Sequence, residues 1–139
     1  MHNPHTIKTD VAIIGAGPVG LFTTFQCGMV GLKCRLIDPM AAPGGQCIAL
    51  YPEKPIYDIP GFPKILAVEL IENLIQQAAP FAPEYHMGEV VDGLEEMGDG
   101  RWQLTTSKGT TFNVGAVIIA DGFGAFEPKQ PSLNRFEIY

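Results

Sequence analysis

The stretch that decides the fold is Thr9-Asp10-Val11-Ala12-Ile13-Ile14-Gly15-Ala16-Gly17-Pro18-Val19-Gly20-Leu21. Thr9 to Gly15 is a β-branched apolar run of the kind found in a parallel strand buried on both faces. It leads directly into Gly15-Ala16-Gly17-Pro18-Val19-Gly20, a G-x-G-x-x-G turn. Pro18 suits the first position of a helix, and Leu21, Phe22, Phe25 and Met29 then repeat at helical spacing until Gly31 offers a stop. Lys33 to Asp38 is a second short apolar strand, so strand, helix and strand fit one βαβ unit. A glycine turn in that context is a dinucleotide fingerprint rather than a plain helix cap.

Each glycine has its own task. Gly15 permits the tight turn, Gly17 lets the backbone approach a pyrophosphate, and Gly20 lets the helix pack closely on the strand. The helix amino terminus adds free N–H groups and a partial positive charge. Asp38 closes the second strand 18 positions after Gly20, near the spacing at which a carboxylate accepts hydrogen bonds from an adenosine ribose. No Arg or Lys directly follows it to take a 2′-phosphate, so the turn suits FAD or NAD better than NADP.

Outward from this unit, Pro39 to Pro63 is broken by six prolines and several glycines and reads as one long loop. Its apolar content, including Ile48, Leu50, Tyr51, Tyr57 and Phe62, is too high for disorder, so it is expected to cover a ligand. Val68, Ile71, Leu74, Ile75 and Ala78 mark the apolar face of a second helix, with Glu69, Glu72, Asn73 and Gln76 toward water and Pro80 as its end. Short runs at Glu89 to Glu96, Arg101 to Thr106 and Thr110 to Val114 suggest a β-meander. Ala116 to Ala120 reads as a further strand, fully buried, closed by Asp121-Gly122-Phe123-Gly124.

The 139 residues, 46% hydrophobic and 17% charged, suffice for one domain with one core. Nine basic against fifteen acidic residues give a net charge of −6, which argues against nucleic acid as a partner. No apolar run approaches the roughly 18 residues of a membrane span, and no secretory leader is recognisable, so a cytoplasmic protein is expected. Cys27, Cys34 and Cys47 are scattered and form no C-x-x-C, which favours reduced thiols. His2, His5 and His86 do not converge with acids or cysteines at metal-ligand spacing, and no metal site is expected. Trp102 is expected in the core of the meander, and Glu53 and Lys54 as a solvated pair.

Gly44-Gly45-Gln46, Ala49-Leu50-Tyr51-Pro52-Glu53-Lys54, Ile56-Tyr57-Asp58, Gly61-Phe62-Pro63 and Gly122-Phe123-Gly124-Ala125-Phe126-x-Pro128 give the chain its family likeness. It resembles the ferredoxin–NADP reductases of the thioredoxin-reductase-like type over nearly its whole length, with Leu50 to Lys54 the most specific part. The resemblance implies a Rossmann-like ββα FAD-binding domain with a central parallel sheet and a crossover β-meander. It implies an enzyme that passes electrons between NADPH and ferredoxin or flavodoxin, as a homodimer. On this reading residues 1–139 are the amino-terminal FAD-binding part, which alone would bind FAD at most. The NADPH domain and the returning carboxyl-terminal segment that completes the FAD site would lie outside it. Carried over by position, Asp38 would hold the ribose, Gln46 would bond the flavin portion, and Tyr51 would stack on the isoalloxazine ring. Val91 would meet the adenine through its backbone, and Phe126 would line the FAD site. Two departures stand out: Asp38 is one methylene shorter than the Glu common at this position, and Asp121 puts a charge in a turn where a small neutral residue is expected.

Thioredoxin reductase and the glutathione-reductase-like enzymes share this opening, but they exchange electrons through a cysteine pair. Cys47 has no partner in Ile48 to Pro52, which weighs against the second group, and thioredoxin reductase would keep its pair outside this segment. A non-catalytic dinucleotide-binding module is the alternative from a different class.

Overall fold

In the computed structural model, which describes residues 6–122, the opening run forms β1 (Thr6–Ile14), α1 (Pro18–Met29) and β2 (Cys34–Asp38). β1 and β2 pair in parallel, from Val11 opposite Cys34 to Ile14 opposite Ile37. Successive residues of β1 feed two cores. Val11 and Ile13 pack with Leu21, Leu36 and Ile71, and Ala12 packs with Ile37, Leu104, Phe112 and Val114. A strand buried on both faces needs apolar residues at every position, which explains the unbroken run.

The remaining elements are α2 (Gly45–Ala49), β3 (Pro55–Ile56), β4 (Ile65–Leu66), α3 (Ala67–Ala78), β5 (Glu84–Met87), β6 (Val91–Glu96), β7 (Trp102–Thr106) and β8 (Thr111–Ile119). The main sheet has the order β5-β2-β1-β8-β7-β6. Its β5, β2, β1 and β8 run parallel, while β6, β7 and β8 form the antiparallel crossover meander. This is the expected α/β fold with a central parallel sheet. α3 lies against α1. Its buried side includes Leu70, Ile71 and Ala78, and Glu69, Glu72, Asn73 and Gln76 face out as the pattern predicts. At its start Leu66 N–H donates to the Glu69 carboxylate at 3.2 Å, and Pro80 sits in the short 3-10 turn Ala79–Phe81 that closes it.

Four expectations need correction. The third meander strand and the strand after it are one strand, β8, which passes through Gly115 without a break. Up to Val114 it lies between β1 and β7; beyond that residue it pairs, among the described residues, with β1 alone. Ile119, expected to be fully buried, is 67% exposed among these residues. The Pro39 to Pro63 loop contains α2 and β3, and β3 forms an antiparallel ladder with β4. β5 was not anticipated: it is a short polar edge strand held to β2 in register, with Arg35 paired to Glu84. In α1, Gly20, Leu21, Thr24 and Cys27 are buried, whereas Phe22 and Met29 face outward. Gly20, Thr24 and Cys27 keep most of that inner side small, with Leu21 as its one large core residue. Trp102 packs against the second core as expected. Beside it, the Arg101 guanidinium donates to the carbonyls of Thr9 and Asn113, both at 3.0 Å, tying the meander to β1.

Candidate functional site

The glycine turn leaves β1 beneath the end of β8. Gly15 N–H donates to Ile37 O at 2.9 Å, and Ala120 N–H donates to Ile14 O at 2.7 Å. Gly15 has φ +108, and a Cβ there would lie 2.3 Å from Ala120 O, so both backbone angle and space demand glycine. A Cβ on Gly20 would lie 1.9 Å from Gly15 O, which makes Gly20 the contact that lets α1 close on the turn. At Gly17 the same test meets no atom within 4 Å. The packing of this chain does not require a glycine there, and the bare backbone faces open space. No acidic residue lies in the first turn of α1, so its positive end is not neutralised locally.

Asp38 is only 6% exposed, not a solvated strand end. Its Oδ2 accepts Ala16 N–H at 2.7 Å and its Oδ1 accepts Met40 N–H at 2.8 Å. A carboxylate offers about four acceptor positions, so each oxygen retains one for a ligand hydroxyl. Asp38 thus ties the glycine turn to the end of β2 as well as facing the groove.

A groove of about 490 Å³ runs along this surface, with Gly15, Gly17, Pro18, Asp38, Gln46 and Val91 on its walls. A second hollow of about 520 Å³ is lined by Gln46, Cys47, Tyr51, Lys54 and Tyr57 among others. Gln46 and Cys47 belong to both, so α2 stands at their junction. Tyr51 faces the second hollow, 54% exposed, with the Lys54 ammonium 5.1 Å from its ring centroid. Glu53 and Lys54 are both exposed, as expected, and Lys54 also lies over an aromatic ring. Gly20 lies behind the groove wall, and Phe126 lies outside the described residues. Asp121 sits exposed at the rim, where solvent screens its charge.

Two features of the site could not be read from the sequence. The first is the contact between the Gly44-Gly45 turn and the first glycine turn. Gly44 N–H donates to Ala16 O at 2.8 Å. Gly44 has φ +124 and Ile48 pressed against it, and a Cβ on Gly45 would lie 3.2 Å from Gly17 Cα. The two glycine turns therefore stand back to back. The second is Glu89, buried and on the groove wall beside Val90 and Val91. Its N–H donates to Asp38 O at 3.1 Å, and its Oε2 accepts the Thr106 hydroxyl at 2.7 Å. His86 Nδ1 lies 3.7 Å from its Oε1. The Arg35 guanidinium lies 3.1 Å from His86 Nε2; since Arg can only donate, Nε2 accepts and the ring proton sits on Nδ1, toward Glu89. Burial, then the Arg35 charge, lowers the His86 pKa against the opposing pull of Glu89 and Glu84. Burial pushes the Glu89 carboxyl up, but hydrogen bonds from Thr106 and Thr110 and the charges of His86 and Lys108 together carry it below its ordinary value. The His86-x-x-Glu89 spacing was the available signal, and at the end of a polar edge strand it does not stand out.

No protein-family model matches the chain. It is 54% identical over 136 residues to a ferredoxin–NADP reductase of Rhodospirillum rubrum, which covers 96% of this chain and 39% of that protein. A ferredoxin–NADP reductase of Paramagnetospirillum magneticum is 56% identical over 130 residues, 94% of this chain and 39% of the relative. Among solved structures, thioredoxin reductase from Streptococcus pyogenes aligns with a TM-score of 0.69 at 26% identity, over 82% of this chain and 35% of that one. The resemblance seen in the Leu50 to Lys54 loop is borne out by relatives of that name, and the fold by the thioredoxin reductase. The chain spans 39% of the length of these reductases.

Proposed function

We propose that this chain is the FAD-binding part of a flavoenzyme that passes electrons between NADPH and ferredoxin or flavodoxin. The observation that carries the reading is the open space at Gly17, beside a groove with a buried carboxylate at its far wall. The residues fit a dinucleotide. Gly15 and Gly17 bring backbone to a diphosphate at the amino end of α1, Asp38 offers its two remaining acceptor positions to a ribose, and Val91 presents its backbone to the adenine. Gln46, at the junction of groove and hollow, bonds the polar edge of the flavin. Tyr51 supplies an aromatic face, a contact that contributes about 0.5–1.5 kcal/mol beyond burial and excludes water from the ring. Phe126 is assigned to the same site. When bound, FAD supplies the chemistry that links a two-electron hydride donor to a one-electron carrier.

On this reading the NADPH-binding domain and the segment that completes the FAD site correspond to the part of the relatives' length that this chain does not span. No helix among the described residues is long and apolar enough to cross a membrane, and all three cysteines are free thiols. We place the complete protein in the cytoplasm as a homodimer. Direct disulfide exchange at this site is not favoured, because Cys27 and Cys34 lie in the core and Cys47 alone reaches the groove.

The test is the visible spectrum of the purified chain after incubation with excess FAD and gel filtration. A flavin spectrum that co-elutes with the protein, and fades in Tyr51→Ala and Gly17→Val, is the expected result. A colourless protein that never retains FAD would refute the claim that this segment forms a flavin site.

A further inference from the structure

Among the described residues that line the groove and the hollow, Lys54 is the one cation. Asp38, Glu89 and Asp121 line the groove and Asp58 lines the hollow, so the other formal charges on these walls are negative. Lys54 is exposed, yet its backbone is firmly placed. Its N–H donates to Tyr51 O at 3.0 Å, its carbonyl accepts Ala67 N–H at 3.0 Å, and Pro52 O accepts Val68 N–H at 2.9 Å. Two of these bonds fasten the Tyr51 to Lys54 turn to the start of α3. The ammonium then lies over the Tyr51 ring, 5.1 Å from its centroid. A cation there is attracted by the negative face of the ring and draws electron density toward itself. Its charge also reaches the floor of the hollow: burial pushes the Cys47 thiol up, and Lys54 pulls against that push. Cys47 follows Gln46, at the junction to which the polar edge of the flavin is assigned.

We propose that Lys54 is a positioning residue that acts through Tyr51, fixing the tyrosine ring and favouring the reduced, negatively charged flavin over the oxidised one. The inference rests on the flavin site proposed above. In that reaction a C–H bond of the nicotinamide breaks, its hydrogen and electron pair form an N–H bond on the flavin, and the flavin gains one negative charge as the nicotinamide gains one positive. The charge is lost again when two electrons pass singly to the carrier and the proton goes to solvent. Only the reduced form is therefore attracted by a fixed cation, and only it benefits from stacking on a ring that Lys54 has made poorer in electrons. With acids on the remaining walls, Lys54 is the residue of this segment that can offset the new charge.

Redox titration of the FAD-loaded chain with dithionite and a reference dye tests it. Lys54→Met and Lys54→Gln, which both remove the charge, should shift the equilibrium about tenfold toward oxidised flavin, or about 30 mV for a two-electron couple. Lys54→Arg keeps the charge and should match the wild type, as should Lys33→Met, at an exposed cation between α1 and β2. The gap between wild type and Lys54→Met should narrow in 1 M salt, where the screening length falls to about 3 Å. Equal potentials in wild type, Lys54→Met and Lys54→Gln overturn the role of Lys54 and leave the flavin site standing. A shift in Lys54→Arg as large as that in Lys54→Met overturns it too, because shape and not charge would then be responsible. Loss of FAD from both charge-removing variants would also overturn it, since Lys54 would then serve the oxidised form. A wild type that retains no FAD overturns the flavin site and this inference together.

Discussion

Alanine at Gly17 and alanine at Gly20, three residues apart in one motif, should have opposite consequences. At Gly17 the backbone angle, φ −76, is open to any residue, and a Cβ would meet nothing within 4 Å. Restricting the unfolded chain stabilises by about 0.4–1 kcal/mol. Alanine is a poorer residue than glycine at the first cap of a helix, which costs a similar amount. Gly17→Ala should therefore leave stability within about 1 kcal/mol of wild type. On the proposed flavin site it should still weaken FAD binding, because the methyl group would stand where that proposal brings the diphosphate. Losing one charge-assisted hydrogen bond costs about 1.5–3 kcal/mol, or roughly ten- to a hundredfold in Kd. At Gly20 the new Cβ would sit 1.9 Å from a backbone oxygen that cannot rotate away. Overpacking of that kind costs about 1–3 kcal/mol and sometimes more, against a helix-propensity gain of about 1 kcal/mol. A net loss of about 2 kcal/mol is expected, since the overlap is severe. Urea unfolding followed by Trp102, the only tryptophan, measures both variants, and FAD titration gives the binding arm. Gly17→Ala that loses more than about 2 kcal/mol, or binds FAD like wild type, would refute the assignment of Gly17 to a ligand. Gly20→Ala with wild-type stability would refute the packing argument.

Asp38→Asn should destabilise the chain by about 2 kcal/mol or more even without ligand, because an amide nitrogen cannot accept the backbone N–H that one carboxylate oxygen now holds; an unchanged urea midpoint would mean that Asp38 serves the ribose alone. Acid should weaken the fold from above pH 6 downward. His86 and Glu89 both bind protons less readily folded than at their ordinary values of 6.5 and 4.5. As pH falls through those values the unfolded chain takes up protons that the folded one resists, so stability falls with pH. Thermal melts should show a lower Tm at pH 5 than at pH 7.5, and His86→Gln should flatten the upper part of that slope; a Tm that rises on acidification contradicts the sign. Burial, with the neighbouring Cys27, pushes the Cys34 thiol up to about 12, and Cys27 is buried too. An aromatic disulfide reagent at pH 8 should therefore titrate Cys47 alone, slowly, in the native chain and all three thiols in denaturant; rapid native reaction of three thiols would show that the core is open.

Much of the fold was legible where local chemistry and tertiary role coincide. The Val11 to Ile14 run is apolar on both faces because β1 feeds a core on each side there, and the glycines that follow sit where the chain turns under β8. Legibility failed where a neighbour, not the residue itself, decides the outcome. β8 changes character at Gly115 because β7 leaves it there, so one strand looked like two. Glu84 to Met87 reads as a polar linker until Arg35 and the edge of β2 give it a partner. Phe22 and Met29 looked like core because they are apolar, yet the sheet needed the small side of α1. In the site, Asp38, Gln46 and Tyr51 could be named from sequence and motif. The second duty of Asp38 could not, since Ala16 and Met40 reach it only once the turn has closed. Glu89 stayed hidden because its partner Thr106 is 17 residues away on another strand.

The back-to-back glycine turns carry a consequence for variation. Gly15-Ala16-Gly17 and Gly44-Gly45 are separated by almost thirty positions, yet Ala16 O holds Gly44 N–H and Gly17 leaves Gly45 room for no more than a bare Cα. A side chain at Gly45 would press on the backbone of Gly17, and a shift of either turn would break the hydrogen bond from Gly44 N–H to Ala16 O. The two motifs therefore form one heritable unit: grafted singly onto a different flavoprotein scaffold, either would arrive without its supporting wall, and they should be transplanted, or allowed to drift, only together.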